Sequence, residues 1–140
     1  MILTKLRISN KRKEKMGNYI DAFVLPIPRK YLNEYKQAAK SVAVIWKEHG
    51  ALAYYEYVGD DLNREGTSSF PEFVGAHEDD AIIFGWVLFE SHETRDLANE
   101  RVATDPRMGD LIAPLTHSKR IIFDAKRMAY GGFKPLIQSI

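Results

Sequence analysis

The stretch AIIFGWVLF, residues 81–89, is the longest nearly unbroken apolar run in the chain. Acidic residues come directly before it and Glu90-Ser91 directly after it. Nine residues so rich in Ile, Val, Phe and Trp predict a strand that is buried on both faces. Because side chains alternate along a strand, the even positions from Ile82 to Leu88 share one face and the odd positions from Ala81 to Phe89 share the other. Two buried faces require two covers.

Length and composition indicate one globular domain. The chain has 140 residues, of which 45% are hydrophobic and 28% charged, which is enough for a substantial core. It has no cysteine, so disulfides and thiolate metal sites are excluded. No apolar run approaches the roughly 18–20 residues of a membrane span, and the N-terminus lacks the apolar centre of a secretory signal. We therefore expect a soluble, cytoplasmic protein without a membrane partner.

The basic residues are concentrated at the N-terminus. Residues 1–15 contain six Lys or Arg and one Glu, whereas the rest of the chain has 14 basic and 18 acidic residues. A nucleic-acid-binding domain is expected to carry its basic patch on the folded domain itself, so binding of RNA or DNA is not favoured. We interpret residues 1–15 as a flexible, dispensable basic extension and residues 16–140 as the single domain.

Hydrophobic periodicity and turn residues predict the secondary structure. The predicted elements are a strand at 19–26, a helix at 29–49, strands at 51–58 and 81–89, helices at 92–104 and 106–112, and a strand at 127–133. This order indicates an α+β, ferredoxin-like βαββαβ domain, with a four-stranded antiparallel sheet and its two main helices on one face. Residues 61–78 are predicted to form a long loop, and whether it acts as a lid stays open.

The second face of the predicted sheet has no helix to cover it, although it is apolar. Monomers seldom expose an apolar face of that size. The simplest cover is the identical sheet of a second copy, related by a two-fold axis. The pattern therefore predicts a homodimer.

Four segments resemble the YbaA-like family of uncharacterised bacterial proteins, which belongs to the dimeric α+β barrel superfamily. They are YIDAFVLPIP at 19–28, DDAIIFGWVLFES at 79–91, DPRM at 105–108 and FDAKRMAYGGF at 123–133. The resemblance runs from Met16 to about Pro135. It implies a ferredoxin-like subunit that forms a barrel with its twin, and it implies no established reaction. Relatives in the wider superfamily include cofactor-independent monooxygenases, haem-degrading, dehalogenating and isomerising enzymes, and proteins without known activity, so the fold alone does not determine function.

Two carboxylates lie inside otherwise apolar predicted strands, Asp21 and Glu56. Burial would raise the pKa of such a carboxyl and make it a candidate base, whereas an arginine partner would keep it ionised. Arg127 is the expected partner of Asp21, because the first and last strands are neighbours in this sheet order. A structural ion pair is the alternative to a catalytic role.

His49 and Arg107 are candidates with equally plausible structural roles. His49 lies on the apolar stripe of the first helix and is either a ligand or base near the pocket, or a residue that complements the helix dipole. Arg107 follows the helix-starting Asp105-Pro106 pair and either clamps an anionic group or ties the short helix to a neighbour. Trp86 and Tyr130 either line a pocket for an aromatic substrate or fill the core and interface.

The sequence therefore favours a homodimeric protein that binds a small molecule between the sheet and the helices. The alternatives are a cofactor-independent monooxygenase-like or isomerase-like enzyme and a non-catalytic interaction module. No phosphate loop, nucleophile elbow or zinc motif is present, so no cofactor or metal is expected and no catalytic residue is assigned. The residues expected around the candidate pocket are Asp21, His49, Trp86, Arg107, Arg127 and Tyr130.

Overall fold

A computed structural model describes residues 19–140. The predicted extension, residues 1–15, lies outside this range. The strands are β1 (Tyr19–Pro28), β2 (Ala53–Val58), β3 (Asp80–Phe89), β4 (Thr116–His117), β5 (Arg120–Ile121) and β6 (Ala129–Phe133). The helices are α1 (Leu32–Glu48), α2 (Phe70–Phe73), α3 (His92–Thr104) and α4 (Pro106–Ile112). The predicted α+β class is confirmed.

Four strands form one antiparallel sheet in the order β2-β3-β1-β6, and β4 and β5 form a separate two-stranded hairpin that the sequence did not predict. In the main sheet, β3 pairs with both β1 and β2, and β6 pairs with the outer side of β1. The prediction that the first and last strands are neighbours is therefore confirmed. Because β1 and β3 are the inner strands, they carry most of the core.

The helix boundaries follow from residues that are visible in the sequence. Ser91 caps α3 by accepting a hydrogen bond from the Thr94 backbone N–H at 3.1 Å. Asp105 caps α4 by accepting from the Arg107 N–H at 3.0 Å, with proline at the first helical position. Gly50 follows the end of α1 with φ of +117°, the left-handed conformation that favours glycine. These predicted starts and stops are confirmed.

Several boundaries differ from the prediction, since β1 extends to Pro28 and β2 begins only at Ala53. Residues Arg29–Tyr31 form a 3-10 turn, so that α1 begins at Leu32. The last strand begins at Ala129, because Asp124 accepts a hydrogen bond from the Lys126 N–H and starts a 3-10 turn at Ala125–Arg127. The long loop contains the short helix α2, which Ser69 caps through the Glu72 N–H. At Ser69 and Asp124 a side-chain cap decides where the short helical segment begins.

The two faces of β3 are covered differently. The odd-numbered side chains lie under the helices, where Val87 and Phe89 are almost fully buried. On the even-numbered face Ile82 is buried, but Phe84 is 40% exposed. The prediction of burial on both faces is therefore wrong for the middle of the strand within this subunit. Both main helices pack on the odd face, and the short helix α2 contacts the even face, where the Phe70 ring meets Phe84 edge-on at 6.2 Å.

No helix within residues 19–140 is long and apolar enough to cross a bilayer. The expected cytoplasmic location stays a prediction.

Gly85 shapes the helix-facing side of the sheet. A Cβ built at this position would lie 2.1 Å from the tip of the Phe23 ring, which rests over the glycine from the neighbouring strand β1. Phe23 is itself buried, so its ring has little room to move. Glycine is therefore needed here for close packing rather than for an unusual backbone angle.

We expect Gly85→Ala to lower the free energy of unfolding by about 1–3 kcal/mol, because the added methyl group displaces a packed ring. Chemical denaturation followed by circular dichroism measures the change. Gly109→Ala in α4 is the matched control, since a Cβ there meets no atom within 4 Å and alanine favours a helix more than glycine does. Equal stability of the wild-type protein and the Gly85 variant would contradict the packing described here.

Candidate functional site

A cavity lies between the helix-facing side of the sheet and helices α1 and α4. It is partly open to solvent and has a volume of about 180 Å³, which is close to the roughly 150 Å³ of an engineered apolar cavity that accepts benzene. The lining is mainly apolar and aromatic, as is usual for small-molecule sites. The residues that line it are Phe23, Tyr35, Ala38, Ala39, Val42, Trp46, Tyr54, Glu56, Val87, Met108, Ile112, Leu115, Phe123, Met128 and Tyr130. We call this space the helix–sheet cavity.

Among the residues that the structure describes, Glu56 supplies the one carboxylate in the wall of the helix–sheet cavity. It shares the helix-facing side of β2 with Tyr54, two residues earlier. The Tyr54 hydroxyl donates a hydrogen bond to Glu56 Oε2 at 2.9 Å, and the Tyr35 hydroxyl, which comes from α1, donates to Oε1. Each carboxylate oxygen is thus held by one tyrosine, which fixes its position and leaves lone pairs for a ligand.

Burial raises the pKa of Glu56, the two tyrosine hydrogen bonds lower it, and the net shift is upward from the ordinary value. Burial, together with the nearby Glu56 charge, also raises the pKa of Tyr35 and Tyr54, so both stay protonated donors. An acid whose pKa is raised on folding contributes stability at low pH and loses it as the pH rises. Ionised Glu56 is therefore a cost to the folded state that a ligand can offset.

A second polar cluster borders the cavity at Tyr130. Its ring lines the wall, and its hydroxyl donates to Asp21 Oδ2 at 2.5 Å. Asp21 is fully buried, and its other oxygen lies 2.9 Å from Arg95 Nε. That distance makes an ion pair, although the N–H direction misses the geometry of a hydrogen bond. Asn99 donates to Asp21 Oδ2 more weakly, at 3.4 Å.

Gly132 gives this cluster the space it needs. A Cβ there would lie 2.0 Å from Arg95 Nη2 and 2.2 Å from the Tyr19 hydroxyl, and these two groups hydrogen-bond to each other at 2.8 Å. The Arg95 guanidinium also lies over the Tyr19 ring. The cluster buries a neutralised ion pair and fixes the Tyr130 side of the wall.

Comparison with known proteins decides the family. The model of a protein family of unknown function, DUF1428, matches residues 18–124. The chain belongs to the DUF1428 family. The uncharacterised protein YbaA of Escherichia coli K12 is 34% identical over 119 residues, which are 85% of this chain and 97% of YbaA. The corresponding protein of Shigella flexneri matches to the same extent. The resemblance to the YbaA-like family is thus confirmed.

A solved structure supports the fold of this DUF1428 protein. A nipsnap family protein of unknown function from Agrobacterium tumefaciens superposes with a TM-score of 0.52. The superposition covers 87% of this chain and 89% of that protein, at 14% sequence identity. At this identity the likeness shows the shared fold and carries nothing about activity.

The structure does not pair Asp21 with Arg127, and that expectation of the sequence was wrong. Arg127 lies in the 3-10 turn before β6, where its Nη2 contacts Asp80 Oδ2 at 2.7 Å and the Gly75 carbonyl at 3.3 Å. Burial raises the pKa of Asp80, but hydrogen bonds from Arg127 and the His77 N–H outweigh it and hold the pKa below its ordinary value. Arg127 of this DUF1428 protein thus fastens the long loop to the start of β3.

His49 and Arg107 meet at the end of α1, outside the residues that line the cavity. Both contact Asp105 Oδ2, each at 2.8 Å, and Arg107 also reaches Glu48 at 2.6 Å. Hydrogen bonds from Arg107 and His49 hold the pKa of Asp105 well below its usual range. This cluster joins the end of α1 to the cap of α4.

Trp86 lies on the even face of β3, away from the helix–sheet cavity. It stacks on Tyr55 of the neighbouring strand, with ring centroids 4.6 Å apart. Of the six residues that the sequence grouped around a pocket, Tyr130 lines the cavity and Asp21 supports it from behind. The other four, His49, Trp86, Arg107 and Arg127, lie elsewhere. Their functional roles stay predictions without a shared site.

From the sequence, Glu56 was a candidate base, but it was not among the residues expected around the pocket. The usable signal was its parity, since Glu56 shares a strand face with Tyr54 and the motif YYEY puts tyrosines on both faces. Tyr35 was visible only as part of the apolar stripe of α1. Within residues 19–140, no three His, Asp or Glu side chains converge on a point that a metal ion could occupy.

Proposed function

We propose that this protein binds a small, largely apolar molecule in the helix–sheet cavity, with Glu56 as the polar anchor. The observation that carries the proposal is a carboxylate held by two tyrosines in the wall of an otherwise apolar, single-ring-sized cavity. Sites that orient a small ligand are typically apolar pockets with a small number of polar groups that point inward. A well-packed core has no reason to keep a carboxylate there, because burying it costs free energy.

The proposed binding predicts that filling the cavity blocks it. Ala39 of α1 lines the cavity, and Ala39→Leu is expected to weaken the binding of a single-ring probe such as 2-phenylethanol by at least about tenfold, since the side chain takes the ligand's volume. Isothermal titration calorimetry measures the affinity. Ala103→Leu, on the exposed side of α3, is the control that keeps the cavity open. Unchanged binding by the Ala39 variant would contradict the proposal.

A cofactor-independent isomerase-like or monooxygenase-like reaction is the alternative for the same site. The observation that favours it is the raised pKa of Glu56, because a higher pKa makes a carboxylate a stronger base. A non-catalytic interaction module is the remaining alternative, and it requires no ligand in the cavity. Probe binding separates that module from the other two.

We also propose that the subunit is ferredoxin-like and that a second copy covers the open face of its sheet, in the manner of a dimeric α+β barrel. The strand order with β6 beside β1 supports the first part. The register places only apolar or tyrosine side chains on the middle of the open face. They are Ile20, Ala22, Val24 and Pro26 of β1, Ala53, Tyr55 and Tyr57 of β2, Ile82, Phe84, Trp86 and Leu88 of β3, and Ala129, Gly131 and Phe133 of β6.

The chemistry of this open face suits its own copy. Several of its large side chains are about half exposed, including Tyr55 at 44%, Tyr57 at 56% and Phe133 at 57%. Exposed apolar patches on this scale mark interaction surfaces. A two-fold interface sets each residue near its symmetry mate, and a face without charges meets its copy without repulsion or desolvation of ions.

We expect the wild-type protein to sediment at the mass of two chains and Phe84→Glu to sediment at the mass of one. The substitution buries a charge at the centre of the proposed interface. Val44→Glu is the matched control, because Val44 is 55% exposed on α1, away from the sheet, and it should stay dimeric. Analytical ultracentrifugation distinguishes these masses. A monomeric wild-type protein would refute the dimer, and a dimeric Phe84 variant would refute the open face of the sheet as its interface.

A further inference from the structure

Three buried or half-buried carboxylates are paired with arginines, and this sets Glu56 apart from them. Asp21 lies 2.9 Å from the Arg95 guanidinium, Asp80 lies 2.7 Å from that of Arg127, and Asp105 lies 2.8 Å from that of Arg107. The partners of Glu56 are the hydroxyls of Tyr35 and Tyr54. Hydrogen bonds from neutral groups orient a carboxylate but do not balance its charge.

A carboxylate without a counter-charge in an apolar wall is balanced either by a proton or by a cation from outside. Among the described residues that line the cavity, Glu56 is the only one with a formal charge, and none is Lys or Arg. A ligand can therefore supply the positive charge that the cavity wall lacks. A cationic group at this point would replace a desolvation cost with an ion pair in surroundings of low dielectric constant.

The rest of the lining fits a cation with an apolar body. Six aromatic side chains surround the cavity, and aromatic faces attract alkylammonium groups. Two methionines add polarisable, adaptable thioethers. These eight residues are Phe23, Tyr35, Trp46, Tyr54, Phe123, Tyr130, Met108 and Met128. The volume of about 180 Å³ limits the body to about one ring or a short branched chain.

We propose that the ligand of the helix–sheet cavity is an organic cation, a protonated amine on a small aromatic or aliphatic body, whose ammonium group pairs with Glu56. This inference rests on the proposed function, since it names the class of molecule that the same cavity binds. The two tyrosines hold the carboxylate in place, and the ammonium group occupies its remaining lone pairs. The apolar body fills the space between α1, α4 and the sheet.

Calorimetry with three probes of one shape tests the inference. The probes are 2-phenylethylammonium, neutral 2-phenylethanol and anionic phenylacetate, compared at about pH 8, where an alkylammonium stays protonated. We expect the ammonium probe to bind at least about tenfold more tightly than the alcohol, as charge-assisted hydrogen bonds are stronger than neutral ones. Phenylacetate is expected to bind most weakly, because its charge repels Glu56.

Two variants test whether Glu56 is the residue that causes the preference for the ammonium probe. Glu56→Gln is expected to remove the preference for the ammonium probe while the alcohol still binds. Glu48→Gln, which changes an exposed carboxylate at the end of α1, is expected to retain the preference and is the matched control. The wild-type comparison alone suffices if the Glu56 variant does not fold. Equal or weaker binding of the ammonium probe overturns the cation inference but leaves small-molecule binding intact, whereas failure of all three probes overturns both.

Discussion

The alternation of side chains along β3 is the constraint on which the rest of the structure depends. Its odd positions pack under α1 and α3, and its even positions form an apolar face that neither of these two helices covers. Gly85 lets the Phe23 ring lie flat against the odd face, and the cavity opens beside that ring. One strand thus supports both proposals, since its odd face bounds the ligand site and its even face offers the dimer surface.

The polar groups of the subunit fall into two kinds that differ in charge balance. The pairs Asp21–Arg95, Asp80–Arg127 and the cluster around Asp105 are neutralised and fasten elements to one another. Such groups hold a fold in register but offer little to a ligand. Glu56 is oriented by neutral donors and faces apolar space. This contrast, more than the identity of any residue, distinguishes the candidate site from the structural ion pairs.

Local signals made much of the fold predictable. Ser91, Asp105 and Gly50 mark helix ends in the sequence, and each does so in the structure. The sequence did not predict which face of the sheet Trp86 lies on, because both the odd and the even positions of β3 are apolar. The partner of Asp21 was missed because Arg95 comes from α3, and only the packing of that helix on the sheet brings it near. The contact of Tyr35 with Glu56 was missed for the same reason, because Tyr35 comes from α1 and only the packing of that helix on the sheet brings it near.

The central claim is that Glu56 is an uncompensated carboxylate in an apolar cavity, and its titration tests that claim most directly. Carbon-13 NMR of the glutamate side-chain carboxyls, followed against pH, reports each pKa separately. The account predicts that the pKa of Glu56 lies above the ordinary 4.5, while that of Glu48, beside Arg107, lies below it in the same spectrum. A Glu56 pKa at or below that of Glu48 would contradict the account, because the carboxylate would then have its balancing charge within the protein.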